Sequence, residues 1–122
     1  MLYDPIKDEL FYAEKNSGSY LNNRSIRVSK KKNISDCIYG VNFRKNLPEN
    51  LIIRNTGSAA LDLAYVSCGR FDGSLQKNIN LWDIAAGTVL IKEAGGIVDN
   101  FEFKEFNKIS IKASNERINV DL

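Results

Sequence analysis

Apolar and polar residues alternate with one rhythm in the first third of the chain and another in the second half. Glu9–Glu14 is rich in aromatics and follows the turn former Asp4-Pro5, which predicts a strand. Asn16-Ser17-Gly18-Ser19 is a turn sequence, Tyr20-Leu21 opens a second short strand, and Asn22-Asn23 signals another turn. Ser25–Ser29 then alternates apolar with polar at period two. Strands joined by turns this short pair antiparallel, so the segment predicts a meander. Ile38–Phe43 and, after Pro48, Leu51–Arg54 predict two more strands. There the period changes. Ala60, Leu61, Ala64, Tyr65 and Cys68 fall on one helical face, with Gly69 as the stop and Thr56 or Ser58 as the cap. A second helix is expected from about Trp82 or Asp83 to Glu93, ended by Gly95-Gly96 and apolar nearly all round, hence buried on several sides. Ile97-Val98 and Ile109–Ile111 complete a strand, helix, strand, helix, strand order, which indicates an α/β layer.

Composition narrows the chemistry. With 122 residues the chain has room for one domain, and 43% hydrophobic against 26% charged residues is ordinary for a globular protein. Histidine is absent, which excludes Ser-His-Asp and Cys-His nucleophile systems, imidazole metal ligands and histidine bases. A formal charge of +2 demands neither a nucleic-acid nor a membrane partner. Cys37 and Cys68 have no zinc or redox spacing and read as small core residues in a reducing cytoplasm. The apolar runs are too short for a membrane helix, and Met1–Pro5 lacks a signal-peptide pattern. A cytoplasmic location is therefore expected. Lys30–Asn33 reads as a solvated loop blunting a sheet edge; a phosphate-tracking patch would need interleaved aromatics.

Two places invite chemistry. Asp83 follows a tryptophan at the mouth of an otherwise apolar helix, where the dipole and unpaired amides favour a carboxylate. It reads either as a simple N-cap or as a rigidly held ligand for a hard cation. Thr56-Gly57-Ser58-Ala59 feeds the other helix and presents free N–H groups suited to phosphate or polyol oxygens, or merely caps that helix.

Taken in order, Gly57–Val66, Gly69-Arg70-Phe71-Asp72-Gly73, Trp82-Asp83-Ile84-Ala85-Ala86-Gly87 and Glu93-Ala94-Gly95-Gly96 resemble the C-terminal half of the inositol monophosphatase family. Tyr3–Phe11 and Ser17–Asn22 resemble that family's mid-chain meander, and Ala113-Ser114-Asn115 its late Ala-x-Asn element. The resemblance spans about residues 3–118. It implies an α/β (α+β) architecture, the C-terminal half of a layered sugar-phosphatase fold: an antiparallel meander, then a mixed sheet with two packed helices. Residues 1–33 would end the family's first domain, and 34–122 would form its α/β subdomain.

The resemblance also implies magnesium-dependent phosphomonoesterase chemistry on inositol phosphate or a similar ester, with two or three Mg²⁺ ions beside the phosphate. Asp83 would be a metal ligand, and Gly57, Ser58 and Ala59 would line the polyol pocket. Gln76 stands near the place of a substrate-binding glutamate, keeping hydrogen-bonding capacity without the charge. The family's first-half glutamate and its Asp-Pro-(Ile/Leu)-Asp-Gly-Thr motif have no counterpart. Asp4-Pro5-Ile6-Lys7-Asp8 imitates the latter, but Lys7 replaces its second aspartate and no Gly-Thr follows. Asp62, Asp72 and Asp99 have no spacing expected to converge on Asp83, and one aspartate does not hold a metal cluster. The chain alone is accordingly expected to be inactive, with catalysis requiring a missing N-terminal half. The short 44–53 connection, where relatives place a helix, is expected to leave apolar surface open to a homo-oligomer or another partner. The rival reading is a non-catalytic scaffold remnant associated with RNA or a transcription complex, using Arg24, Arg27 and Lys30–Lys32.

Overall fold

The computed structural model describes residues 1–45, 47–105 and 108–118, with backbone alone for residues 81, 100–105, 108 and 109. Its first sheet is the expected meander with one strand more: β1 (Leu2–Asp4), β2 (Glu9–Ala13), β3 (Ser19–Leu21) and β4 (Arg24–Ile26), antiparallel in that order. Asp4-Pro5 sits in the β1–β2 hairpin, where Asp4 Oδ1 accepts from the Ile6 amide at 3.0 Å. The motif-like Asp4–Asp8 stretch is thus the start of a hairpin turn, with Asp8 at φ 52°. β4 stops at Ile26, earlier than the alternation through Ser29 suggests. The chain then leaves the meander, and the Val28 amide donates to Ala94 O at 3.1 Å.

The second sheet contains β5 (Ile38–Val41), β6 (Ile52–Arg54), β7 (Gly73–Asn80), β8 (Ile97–Glu105) and β9 (Lys108–Ser114), in the order β6-β5-β7-β9-β8. β5 lies parallel to both β6 and β7, whereas β9 is antiparallel to β7 and β8. The middle strand, β7, carries an extra residue. Gln76 faces Ile111 and Ile79 faces Ile109, so three steps on β7 match two on β9, and Asn78 adopts φ 54°. This bulge inverts the strand's facing, because side chains otherwise alternate strictly.

α1 (Ala59–Ser67) and α2 (Leu81–Glu93) lie between the two sheets. One cluster joins Phe11 of β2, Leu63 and Val66 of α1, Ile84, Leu90 and Ile91 of α2, and Ile79 and Ile111 of the second sheet. Six consecutive α1 residues, Asp62–Ser67, are buried, so this helix is covered on every side rather than along one stripe. α2 is less enclosed than its composition suggests: Ile84 is buried, yet Trp82 is 75% exposed and Val89 37% exposed. Gly87 lets the helices meet, since a Cβ there would stand 2.6 Å from Leu63 Cβ. On its far face the second sheet holds Tyr39, Val41 and Leu75, with Ile53 of β6 and Ile34, Phe43 and Leu47 of adjoining segments packed against that cluster.

Three polar ties hold the meander to the helices. Glu93 accepts from the Asn16 and Gly18 amides at 3.0 and 2.9 Å. Ser19 Oγ donates to Leu90 O at 2.5 Å. Arg70, just beyond α1, makes a two-pronged pair with Glu9 of β2, which lowers the Glu9 carboxyl below its usual range. Cys37 is buried and Cys68 half-buried, both free thiols raised chiefly by burial. Lys31 is not simply a solvated loop charge: it reaches the Asp36 carbonyl and the buried Asp72 carboxylate. Among the described residues, no helix is long and apolar enough to cross a membrane.

Candidate functional site

Because β5, β6 and β7 run parallel, their carboxyl ends share one rim of the sheet. Three features converge there: Asn42 after β5, the Asn55–Ser58 loop after β6, and the start of α2 after β7. The rim of parallel strands is where α/β sheets place ligands, since loops diverge there and helix amino termini face inward. A cavity of about 300 Å³ is lined at this place by Asn42, Asn55, Gly57–Ala59, Asp62, Gln76, Ile79 and Asp83. All five residues singled out from the sequence, Gly57, Ser58, Ala59, Gln76 and Asp83, therefore border one space.

The loop is shaped by its own side chains. Asn55 Oδ1 accepts from the Gly57 amide at 2.8 Å, and Thr56 Oγ1 accepts from the Ser58 amide at 3.2 Å. Gly57 has φ 83°, a left-handed conformation that glycine adopts without steric cost. Of the two candidate caps, Ser58 serves: its Oγ accepts from the Leu61 amide at 3.2 Å. The amides of Gly57 and Ser58 are thus already engaged. The first helical amides, those of Ala59 and Ala60, are left by helix geometry without intrahelical partners, an arrangement suited to an oxyanion.

Asp83 occupies the first turn of α2 with its side chain exposed. No hydrogen bond or ion pair engages its carboxylate among the described residues, and Asn80, not Asp83, holds the N-cap position. Gln76 is completely buried. Its Nε2 donates to Asp62 Oδ2 at 2.7 Å and to Ser74 Oγ at 2.9 Å, with Gly40 O at 3.3 Å. Its Oε1 has no partner. The one unengaged group of this amide is therefore an acceptor, and it is buried.

Asp62 overturns one expectation, for it borders the same cavity as Asp83. The convergence is tertiary: α1 turns the carboxylate onto the sheet, and Gly40 admits it, since a Cβ there would lie 2.9 Å from Asp62 Cγ. Helical spacing from Ser58 was the available signal. Both oxygens are engaged, Oδ1 by Thr56 Oγ1 at 2.6 Å and Oδ2 by Gln76. Burial raises the Asp62 carboxyl above its ordinary value, against the opposing pull of these two donors. Asp72 does lie elsewhere, at the opposite end of β7 beside Lys31 and the Ile38 amide, and Asp99 is exposed on β8. Among the described residues, no three Asp, Glu or Cys side chains gather as a metal-holding group.

Comparison with known proteins places this geometry in a lineage. The model of the inositol monophosphatase family matches residues 1–120. An inositol-1-monophosphatase of Rhizobium meliloti is 39% identical over 97% of this chain and 51% of its own length. A Nus factor SuhB of Xylella fastidiosa is 38% identical over 84% of this chain and 42% of its own. The crystal structure of extragenic suppressor protein suhB from Bartonella henselae superposes with a TM-score of 0.85 at 42% identity, covering 94% of this chain and 52% of that one. The chain spans about half the length of the curated relatives it matches.

Proposed function

Since the chain belongs to the inositol monophosphatase family, we propose that it supplies the substrate-cradling side of a magnesium-dependent phosphomonoesterase acting on inositol phosphate or a similar polyol ester. The observation supporting this reading is the meeting of an unencumbered carboxylate, Asp83, with the Gly57–Ala59 helix start in one cavity. Mg²⁺ takes oxygen ligands, and Asp83 fits as one of them. The described residues do not fit a cluster of two or three ions by themselves, because the other carboxylate in the cavity, Asp62, is committed to Thr56 and Gln76. In this reading the remaining ligands come from outside the described residues. Within the chain, the amides at the start of α1 orient phosphate or polyol oxygens, and Gln76, buried beneath the cavity, fixes the Asp62 carboxylate on its wall. Bound magnesium would supply charge neutralisation at the phosphate.

The test is magnesium-dependent phosphate release from inositol 1-phosphate, measured on the chain with and without a polypeptide carrying the other half of a family member. Turnover is expected only in the mixture, and Asp83→Asn should reduce it by more than about tenfold. Equal turnover by the chain alone, or a mixture indifferent to Asp83→Asn, would overturn the reading.

A second reading has one observation in its favour, the likeness to a protein named Nus factor SuhB. A non-catalytic role on RNA would use Arg24, Arg27 and Lys30–Lys32, although Lys31 is partly committed to Asp72. RNA binding that weakens steeply with salt and with neutralised lysines would support it; flat titrations at low salt would dismiss it.

A further inference from the structure

Thr56 has one hydroxyl proton and two acceptors for it. Its Oγ1 stands 2.6 Å from Asp62 Oδ1 and 3.0 Å from the Ser58 carbonyl, and the same oxygen accepts from the Ser58 amide at 3.2 Å. The carboxylate takes the proton, being the nearer acceptor and a charged one. Its other oxygen is held on the sheet. Gln76 Nε2 donates to Oδ2 at 2.7 Å and reaches Ser74 Oγ at 2.9 Å, and Ser74 Oγ donates to the Gly40 carbonyl at 2.7 Å. A connected path therefore runs from β5 and β7, through one buried carboxylate, to the loop after β6.

That path decides the shape of the turn opening α1. With the Thr56 hydroxyl directed to Asp62, the Ser58 carbonyl is left to its helical bond from the Asp62 amide at 3.0 Å, and the Thr56 oxygen to the Ser58 amide. Packing gives the turn little support: Thr56 and Gly57 are exposed, and the place of a Cβ on Gly57 has nothing within 4 Å. The bond from the Gly57 amide to Asn55 lies within the exposed loop itself, so the tie to a buried group is the one from Thr56 to Asp62.

We propose that Asp62 is a positioning residue of the site: acting through the Thr56 hydroxyl, it holds the Gly57–Ala59 turn so that the first amides of α1 stay aimed at the ligand's oxygens. Both oxygens of Asp62 are already engaged, so it works through Thr56 and not on the ligand. The role rests on the reading that those amides meet phosphate or polyol oxygens, but not on turnover.

Inorganic phosphate titrated without magnesium into the full 122-residue chain, with the Ala59 and Ala60 amide NMR signals followed, tests it. Saturable shifts are expected in the wild type. Thr56→Val should weaken binding about tenfold, the loss of one hydrogen bond to a charged group, and Thr56→Ser should restore it. Asp62→Ala should weaken binding as much as Thr56→Val does, and the two together no further than either alone. Thr56 is exposed, so its variants should keep the fold; if Asp62→Ala unfolds, the valine and serine pair decides. In the reconstituted mixture, Thr56→Val should raise KM for inositol 1-phosphate about tenfold and leave kcat within about twofold. Wild-type affinity in Thr56→Val, equal losses in the serine and valine variants, or additive losses from Thr56 and Asp62 would overturn the proposal. A fall in kcat with KM unmoved would mark loss of folded protein and overturn it as well. Unmoved Ala59 and Ala60 signals in the wild type would overturn it together with the ligand placement. No turnover in the mixture, with the phosphate results as expected, would instead count against the phosphatase reading alone.

Discussion

Gln76 shows how much one amide can be asked to do. A glutamate there would set two carboxylates face to face, since the nearest acidic oxygen, on Asp62, lies 2.7 Å from Nε2. The amide instead gives that carboxylate a donor and keeps its own oxygen unpartnered. Replacing it with leucine, of similar volume, removes the donor and leaves Asp62 buried with Thr56 as its one remaining side-chain donor. Hydrogen bonds to charged groups are worth about 1.5–3 kcal/mol, so Gln76→Leu should cost about 2 kcal/mol at pH 7 by urea denaturation. The sign of the pH dependence follows from the raised Asp62 carboxyl. Its protonated form is favoured in the folded chain, so the associated stability is complete below the unfolded value of 3.8 and is lost as pH rises through the folded value. The variant should therefore be penalised less at pH 4 than at pH 7. An equal penalty at both would mean that the carboxylate is not what suffers.

Among the elements, α1 and α2 depend on contact at Gly87. Alanine there improves helix propensity by about 1 kcal/mol, but its Cβ would sit 2.6 Å from Leu63 Cβ, and overpacking of this kind costs about 1–3 kcal/mol. Gly87→Ala should be destabilising in the wild type and neutral or stabilising in a Leu63→Gly background, which removes that Cβ; matching effects in the two backgrounds would exclude the clash. Both helices, most of the meander, β5 and β6 were legible from the pattern, whereas of β8 and β9 it showed only Ile97-Val98 and Ile109–Ile111, the register shifts between Asn100 and Glu105 interrupting the alternation along β8. β7 was not legible, although it is the middle strand. Gly73–Asn80 contains only Leu75 and Ile79 as large apolar residues, and the bulge between Gln76 and Ile79 breaks the alternation that would reveal a strand. β1, three residues long, is too short to carry a period. The site was legible where chemistry is local, at Asp83 and the Gly57–Ala59 turn. It was hidden at Asp62, whose approach to Asp83 depends on how α1 faces the sheet and on the space above Gly40.

At the scale of the whole molecule, Glu93 joins the end of α2 to the β2–β3 turn across a gap of more than seventy residues in sequence. The Asn16 and Gly18 amides favour its ionised form and hold the carboxyl below the usual 4.5. A depressed folded value means that the stabilisation is present above the unfolded value and is lost as pH falls through the folded one. Unfolding midpoints measured from pH 7 to pH 3 should thus converge for the wild type and Glu93→Gln, with the wild type ahead only at the upper end. Parallel curves would show that the clamp contributes nothing. The bulge in β7 reaches just as far. It reverses the parity of the strand, so that Ile79 enters the inter-sheet core and α2 starts with Asp83 on the rim. Loss of a single codon at 77–78 would leave Ile79 two steps from Gln76, on the same face and still opposite Ile109, so the strand would become regular with its core residue in place. The surplus is taken up where it occurs, which makes an unremarkable Lys-Asn pair the slack that lets an odd count of residues join core to rim.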